Sequence, residues 1–371
     1  MINSTYKKIV ILIFMLIIIT PLTLTLINPK EINLSNEDII KKPSLFENNK
    51  INKNYTKDFE NFISTNFTSR DKFIEANSLL RYKLFDLGAS DKVIIGENQW
   101  MYLSDTLEQY SGTKTYNEDT LKKFKINLEE KNKFLNKNGI EMLVVIAPNK
   151  NSIYPQYMPL NKPKIRNRNS TDEFFTYMKN NSDVNILDLR KDLIDSKSKE
   201  ELYHRTDSHW NHIGASLAYK RIIEESSKLL PEYNLKPYNI EIDYNQNDSK
   251  LKGDLSSMLL LDKHISDNST SIKNKVNYEY KAYHDHDKEI RTASYDKTLP
   301  KAVIFRDSFS IYLQPLLSQN FSEALYIWGT RYGDLEDDYF NKDIILNNKP
   351  DIVIIEIAER LMDGLTMDFH Q

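Results

Sequence analysis

Two short clusters hold most of the side chains in this sequence that can do chemistry. The first, residues 203–212, reads Tyr-His-Arg-Thr-Asp-Ser-His-Trp-Asn-His and stops where a helical pattern begins near Asn211. In an extended segment residues two apart project to one side, so Asp207 and His209 can enter a site together. A carboxylate beside an imidazole fixes its tautomer and stabilises the imidazolium formed when the ring takes a proton. Asp207 and His209 are thus candidate orienter and general base. Two other readings use the same residues: Thr206, Asp207 or Ser208 as a cap for the following helix, and Asp207, His209 and His212 as three metal ligands. Spacing supplies no fourth ligand, so neither a metal nor another cofactor is expected.

The second cluster, residues 305–310, reads Phe-Arg-Asp-Ser-Phe-Ser at the end of an apolar run. At the carboxyl edge of an open α/β sheet, a serine on a strand-to-helix turn exposes its Oγ, and main-chain N–H groups behind it can hold an oxyanion. Ser308 fits a nucleophile, a hydroxyl that needs a base such as His209 to activate it; the alternative is an Asp-Ser helix cap. Weaker candidates surround the pair. Asn149 follows an apolar strand and can donate to an oxyanion, Tyr312 lies one helical turn past Ser308, and Arg331, after the run ending at Trp328, can meet an anionic group. The His-Asp-His-Asp run at 284–287 reads as a charged loop.

These clusters need a scaffold. Apolar runs at 142–147, 184–187, 302–305, 324–328 and 352–355 read as strands buried on both faces, and helical patterns lie between most of them, notably 117–138 and 211–230. That alternation predicts an α/β domain with a parallel sheet flanked by helices. Residues 93–96 and 100–103 bracket a Gly-Glu-Asn-Gln turn and read as a hairpin. The polar stretch 231–300 breaks the rhythm and reads as an insertion beside the sheet, with an alternating segment at 276–283. Upstream, Phe59, Phe62, Phe73, Leu80 and Leu84 recur at roughly helical spacing, predicting a helical stalk or linker over 28–90 ahead of a main domain at 91–371.

The chain of 371 residues, 40% hydrophobic with 22 Tyr and 16 Phe, can build a sizeable core. Its formal charge of -3, from 50 basic and 53 acidic residues, offers no field to recruit nucleic acid. The absence of cysteine removes disulfides and thiolate chemistry. After Lys7 and Lys8, residues 9–27 are uncharged and mostly apolar, close to the length needed to cross a bilayer. The lysines favour a cytoplasmic tail at 1–8 and a single-pass anchor with the rest outside the cell membrane. No small-residue cleavage site follows, so an uncleaved signal anchor is expected.

Ala-Pro-Asn-Lys at 147–150 with Ile-Tyr-Pro at 153–155, Arg-Thr-Asp-Ser-His-Trp-Asn at 205–211, Gly-Asp-Leu at 253–255, Arg-Asp-Ser-Phe at 306–309 and Glu-Ile-Ala-Glu-Arg at 356–360 together resemble the serial motifs of the SGNH-hydrolase-like proteins of the alginate O-acetylation and DHHW type. The resemblance implies a permuted SGNH fold, with Ser308 as nucleophile, His209 as base and Asp207 as its orienter. It further implies transfer of an acetyl group through an acyl-serine to hydroxyls of an exported or cell-surface polysaccharide, beside a membrane-bound O-acyltransferase that supplies the acetyl group. One departure is Arg306, where related motifs carry glycine before Asp-Ser. The same triad also fits a carbohydrate esterase, and a third reading makes the chain a non-catalytic glycan-binding subunit of an export complex.

Overall fold

The computed structural model of the chain describes residues 4–27, 42–47, 50–66, 70–85, 88, 90–244, 251–267, 269–273, 278–282, 289–329 and 339–367. The chain divides into two compact units, Met1–Phe85 and Asp86–Gln371. In the first, helix α1 covers Ser4–Ile27, and α2 (Tyr55–Asn66) and α3 (Arg70–Phe85) follow. The span expected over 9–27 coincides with α1, whose side chains are described continuously only over 6–20. Among the described residues no helix is long and apolar enough to cross a membrane.

The second unit is built on a seven-stranded sheet. Its strands are β1 (Glu141–Ala147), β2 (Ile186–Asp188), β3 (Tyr278–Ala282), β4 (Glu289–Ser294), β5 (Lys301–Arg306), β6 (Glu323–Trp328) and β7 (Ile352–Ala358), in the spatial order β2-β1-β7-β5-β6-β4-β3. From β2 to β6 all neighbours are parallel, and β4 runs antiparallel to both β6 and β3. The wholly parallel sheet expected from sequence is therefore corrected to a mixed one. The end of the supposed 231–300 insertion is the reason: it pairs with β6 and extends the sheet instead of lying beside it.

Strand alternation divides the core. Leu143, Val145 and Ala147 of β1 join one apolar cluster with Ala215, Tyr219, Ile222 and Leu313, while Met142, Val144 and Ile146 join another with Phe124, Leu128 and Phe174. Helices α4 (Glu118–Lys137) and α5 (Ser170–Asn181) thus cover one face, and α6 (His212–Leu229) and α7 (Ser310–Leu317) cover the other. Each helix starts where chemistry favours it. Asn117 accepts from the Thr120 N–H at 2.8 Å ahead of α4, and Asn211 accepts from the N–H groups of Ile213 and Gly214 ahead of α6, each such cap contributing about 1 kcal/mol. The hairpin expected around 93–103 is present as Val93–Ile95 against Met101–Leu103, with Asn98 and Gln99 of its turn at positive φ.

Candidate active site

The segment before α6 is a loop pinched at its base. Tyr203 and Trp210 form an antiparallel bridge, the Asn211 N–H donates to Leu202 O at 2.9 Å, and the His204 N–H donates to His209 O at 3.3 Å. Trp210 is fully buried, and its indole N–H donates to the Phe309 carbonyl at 3.0 Å. That bond ties the loop to the turn after β5. Gly214 admits the close approach, since a Cβ there would meet Leu202 O at 2.3 Å.

The turn after β5 is held from beneath. The Asp307 carboxylate accepts from the Phe309 N–H at 2.8 Å and from the Ala358 N–H of β7 at 2.6 Å, fastening the turn to the neighbouring strand. Ser308 stays partly exposed at its apex, one residue beyond Asp307 and two before α7. Among the described residues no main-chain carbonyl accepts its N–H.

Loop and turn meet at the side chains. His209 Nε2 lies 2.7 Å from Ser308 Oγ, and His209 Nδ1 lies 2.7 Å from Asp207 Oδ1. The same Asp207 oxygen accepts the His209 N–H at 2.9 Å, and the other accepts the Asp254 N–H at 2.9 Å. Burial alone pushes the Asp207 carboxyl up, but the hydrogen bond and charge of His209, with those two N–H donors, bring it below the ordinary carboxylate range. Phe309 packs its ring edge-on to His209 at 4.9 Å, and Arg360 lies over that ring at 5.4 Å.

Residues 93–359 match the family described as SGNH hydrolase-like domain, acetyltransferase AlgX. The chain belongs to this AlgX-type SGNH hydrolase-like family. A curated relative, the probable alginate O-acetylase AlgJ of Pseudomonas syringae pv. tomato, is 24% identical over 172 residues, 46% of this chain and 42% of the relative. The chain thus spans about half the length of the curated relatives it matches. The solved O-acetyltransferase domain of Pseudomonas putida AlgJ superposes with a TM-score of 0.51 at 22% identity, covering 74% of this chain and 92% of that one. A DHHW family protein from Eubacterium siraeum superposes with a TM-score of 0.53 at 16% identity, covering 76% and 97%. At these identities the solved structures speak for the shared AlgX-type fold.

The other sequence candidates of this AlgX-family chain fall in different places. Asn149 is buried, with its N–H donating to Glu359 Oε2 at 2.8 Å and Nδ2 donating to Gln109 Oε1 at 2.9 Å, while Oδ1 has no partner. No hydrogen bond joins it to Ser308. Tyr312 stands beside the loop, its hydroxyl 3.2 Å from His204 Nε2 and its ring edge-on to His212 at 4.7 Å. Burial, then the charges of Asp207, Asp254 and Asp267, push its hydroxyl up to about 12. Arg331 and the 284–287 run lie outside the described residues.

His212 does not join Asp207 and His209 as a ligand set. Its ring faces Tyr312, its Nδ1 lies 3.4 Å from Thr270 Oγ1, and burial followed by His204 lowers it to about 4. Asp207, His209 and Asp254 do place one ligand atom each within 4.8 Å of one another. The oxygens of Asp254, however, already accept from the Ser208 N–H at 2.7 Å and hydroxyl at 2.5 Å, and His209 Nδ1 is engaged with Asp207. The three groups are engaged with one another and with Ser208 in this arrangement.

Sequence reasoning gave Asp254, His204 and Glu359 no role. The Gly-Asp-Leu motif at 253–255 is the signal that points to Asp254, and a Cβ on Gly253 would meet Thr206 O at 2.1 Å. Glu359 is fully buried and gathers the Asn149 N–H, Ser152 Oγ and Thr171 Oγ1 at 2.6–2.8 Å. It braces the carboxyl end of the sheet, and the signal that points to it is the Glu-Ile-Ala-Glu-Arg motif at 356–360, directly after the buried strand β7.

Proposed function

We propose that the chain is an O-acetyltransferase that carries an acetyl group on Ser308 and passes it to hydroxyls of an exported or cell-surface polysaccharide. The observation that supports this most is the pair of 2.7 Å contacts running from Asp207 through His209 to Ser308, in a chain of the AlgX-type family. His209 Nε2 removes the Ser308 proton as Oγ bonds to the acetyl carbonyl carbon of the donor. The imidazolium, held by Asp207, returns that proton to the departing donor group, leaving acetyl-Ser308. An acceptor hydroxyl then loses its proton to His209 while its oxygen bonds to the same carbon, and Ser308 leaves with the proton restored. The oxyanion of each step takes the Ser308 N–H, with the second Nδ2 hydrogen of Asn149 as a further donor. In this reading Tyr312 lines the pocket and Arg331 meets the glycan.

The fold in this reading is the permuted SGNH arrangement, since the Asp-x-His loop precedes the nucleophile turn. α1 is a signal anchor over 9–27 that leaves the catalytic unit outside the membrane, where a membrane-bound O-acyltransferase supplies acetyl groups. The exposure of Ile11, Leu12, Phe14 and Ile17 at 56–61% supports this, because a helix apolar on every side needs an apolar medium.

The test uses the full chain in detergent micelles with an aryl acetate as donor and neutral or anionic oligosaccharides as acceptors. Mass spectrometry is expected to find acetyl on Ser308 and then on the acceptor, and Ser308→Ala should abolish both without changing the melting curve. Acetate release that no acceptor diverts would replace transfer with hydrolysis and remove the proposal.

A further inference from the structure

Lys150 follows Asn149 on the first turn after β1 and is only 4% exposed. Its ammonium carries three hydrogens and meets three main-chain carbonyls, those of His204 and Arg205 at 2.9 Å each and that of Asp207 at 2.7 Å. Nζ also lies 5.5 Å from the Trp100 ring centroid and 5.3 Å from that of Tyr102. Among the described residues no carboxylate forms an ion pair with it; its donors are spent on the loop.

A buried cation without an ion pair is costly, so its hydrogen bonds must return something to the fold. Three carbonyl oxygens converging on one point repel one another, and buried acceptors left without a donor are destabilising. Of the three, the Arg205 carbonyl also accepts the Met101 N–H at 2.8 Å, so it is the carbonyls of His204 and Asp207 for which Lys150 is the donor. We propose that Lys150 is the positioning residue of the acid-base pair: by gathering these carbonyls it fixes the main chain of Asp207 so that Oδ1 stays on His209 Nδ1. Its effect on rate rests on the acetyl-transfer reading, whereas its effect on the Asp207–His209 bond does not.

Lys150→Met keeps the length of the side chain and removes the donors; Lys150→Arg keeps a cation with several donors. In the full chain, with an aryl acetate, the Met variant is expected to slow acetylation of Ser308 by about 10²-fold with KM little changed, the signature of a misplaced reacting group. It should also lose the low-field proton resonance of the His209 Nδ1–H donated to Asp207, and Arg should restore part of both. A folded Met variant that keeps the rate and the resonance overturns the proposal. The resonance needs no acetyl donor. If it vanishes in the Met variant while the unsubstituted chain forms no acetyl-Ser308, Lys150 keeps its role and the transferase reading falls.

Should the Met variant fail to fold, the unsubstituted chain decides by its pH dependence. Burial brings the Lys150 ammonium down to about 8 against the opposing pull of Asp207, Asp267 and Asp254. His204, Arg205 and Tyr102 are the other titratable groups beside it. As pH rises through that value the amine loses one donor and its charge, so rate and resonance should decline together. Both persisting well above it would overturn the proposal.

Discussion

The main-chain N–H of Asp254 donates to Oδ2 of Asp207 over 2.9 Å, so the carboxylate that orients His209 is itself held by a segment 47 residues further along the chain. The contact depends on Gly253, whose neighbour Thr206 leaves no room for a side chain: an added Cβ would sit 2.1 Å from Thr206 O. Gly253→Ala is therefore expected to shift the 253–254 backbone, cost about 1–3 kcal/mol, and lower the rate of Ser308 acetylation at least about tenfold as Asp207 loses its second anchor. Urea unfolding and single-turnover acylation measure the two effects. A variant with undiminished rate would show that Asp254 does not position the acid.

Asp207 makes a signed prediction about acid stability. Its folded-state carboxyl lies below the ordinary value of 3.8 because the His209 and N–H contacts outweigh burial. A depressed carboxyl contributes stability that is present above its unfolded value and is lost as pH falls through the folded one. Asp207→Asn should flatten the decline in the urea midpoint below that value. The same substitution gives His209 an amide partner that can favour the wrong tautomer, so acylation should fall by about 10⁴-fold. If the acid limb of stability is unchanged, the electrostatic account of Asp207 is wrong.

His212 titrates in a different window. Its folded-state value of about 4 lies below the ordinary 6.5 because burial, then the neighbouring His204, disfavour its charged form. A depressed histidine contributes stability that is complete above its unfolded value and is progressively lost as pH falls toward the folded one. Between those two values the native chain should lose about 3 kcal/mol at this site. His212→Gln, which cannot protonate, should show a correspondingly smaller drop there, the remainder belonging to His204, which burial also holds below the ordinary value. A midpoint that still drops by the same amount would assign the loss to another group, His204 first.

Much of this arrangement is readable from the chain because it rests on local rules. The central strands are apolar on both faces, as at Leu143 through Ala147, so a buried sheet announces itself. Asp207 and His209 sit two apart as the sequence showed, but the loop bends through 205–209 instead of running extended, and Asp207 reaches His209 while His209 reaches Ser308. The antiparallel edge is less legible. In β4 the buried Ile290, Thr292 and Ser294 alternate with Glu289 and Arg291, and only one of the three buried residues is apolar; its partner β6, not its own composition, makes it a strand. Lys150 and Glu359 are hidden for a related reason. Residue type places such groups at the surface, and only the convergence of distant acceptors or donors brings them inside.

Beneath the turn that carries Ser308, Glu356 and Asp307 are joined through the main chain and hold different partners. Glu356 Oε2 accepts the Asp307 N–H at 3.1 Å, while the Asp307 carboxylate accepts the N–H groups of Phe309 and Ala358. Burial, then the charge of Asp307, raises the Glu356 carboxyl well above the ordinary value of 4.5. A raised carboxyl contributes stability below its unfolded value and loses it as pH climbs toward the folded one. Glu356→Gln keeps an acceptor for the Asp307 N–H but sets amide hydrogens where Oε1 has no partner, so it should cost about 1–3 kcal/mol and remove the decline that begins above 4.5. Asp307→Asn differs in kind. One of its two acceptor oxygens becomes a donor, leaving the N–H of Phe309 or Ala358 facing another N–H, which should cost about 1–3 kcal/mol. The turn that presents Ser308 would loosen, and acylation should slow with it. Urea unfolding across pH and acylation rates of the two variants, measured side by side, check both: a Gln variant that keeps the decline, or an Asn variant whose acylation is undiminished, would overturn this account of the turn.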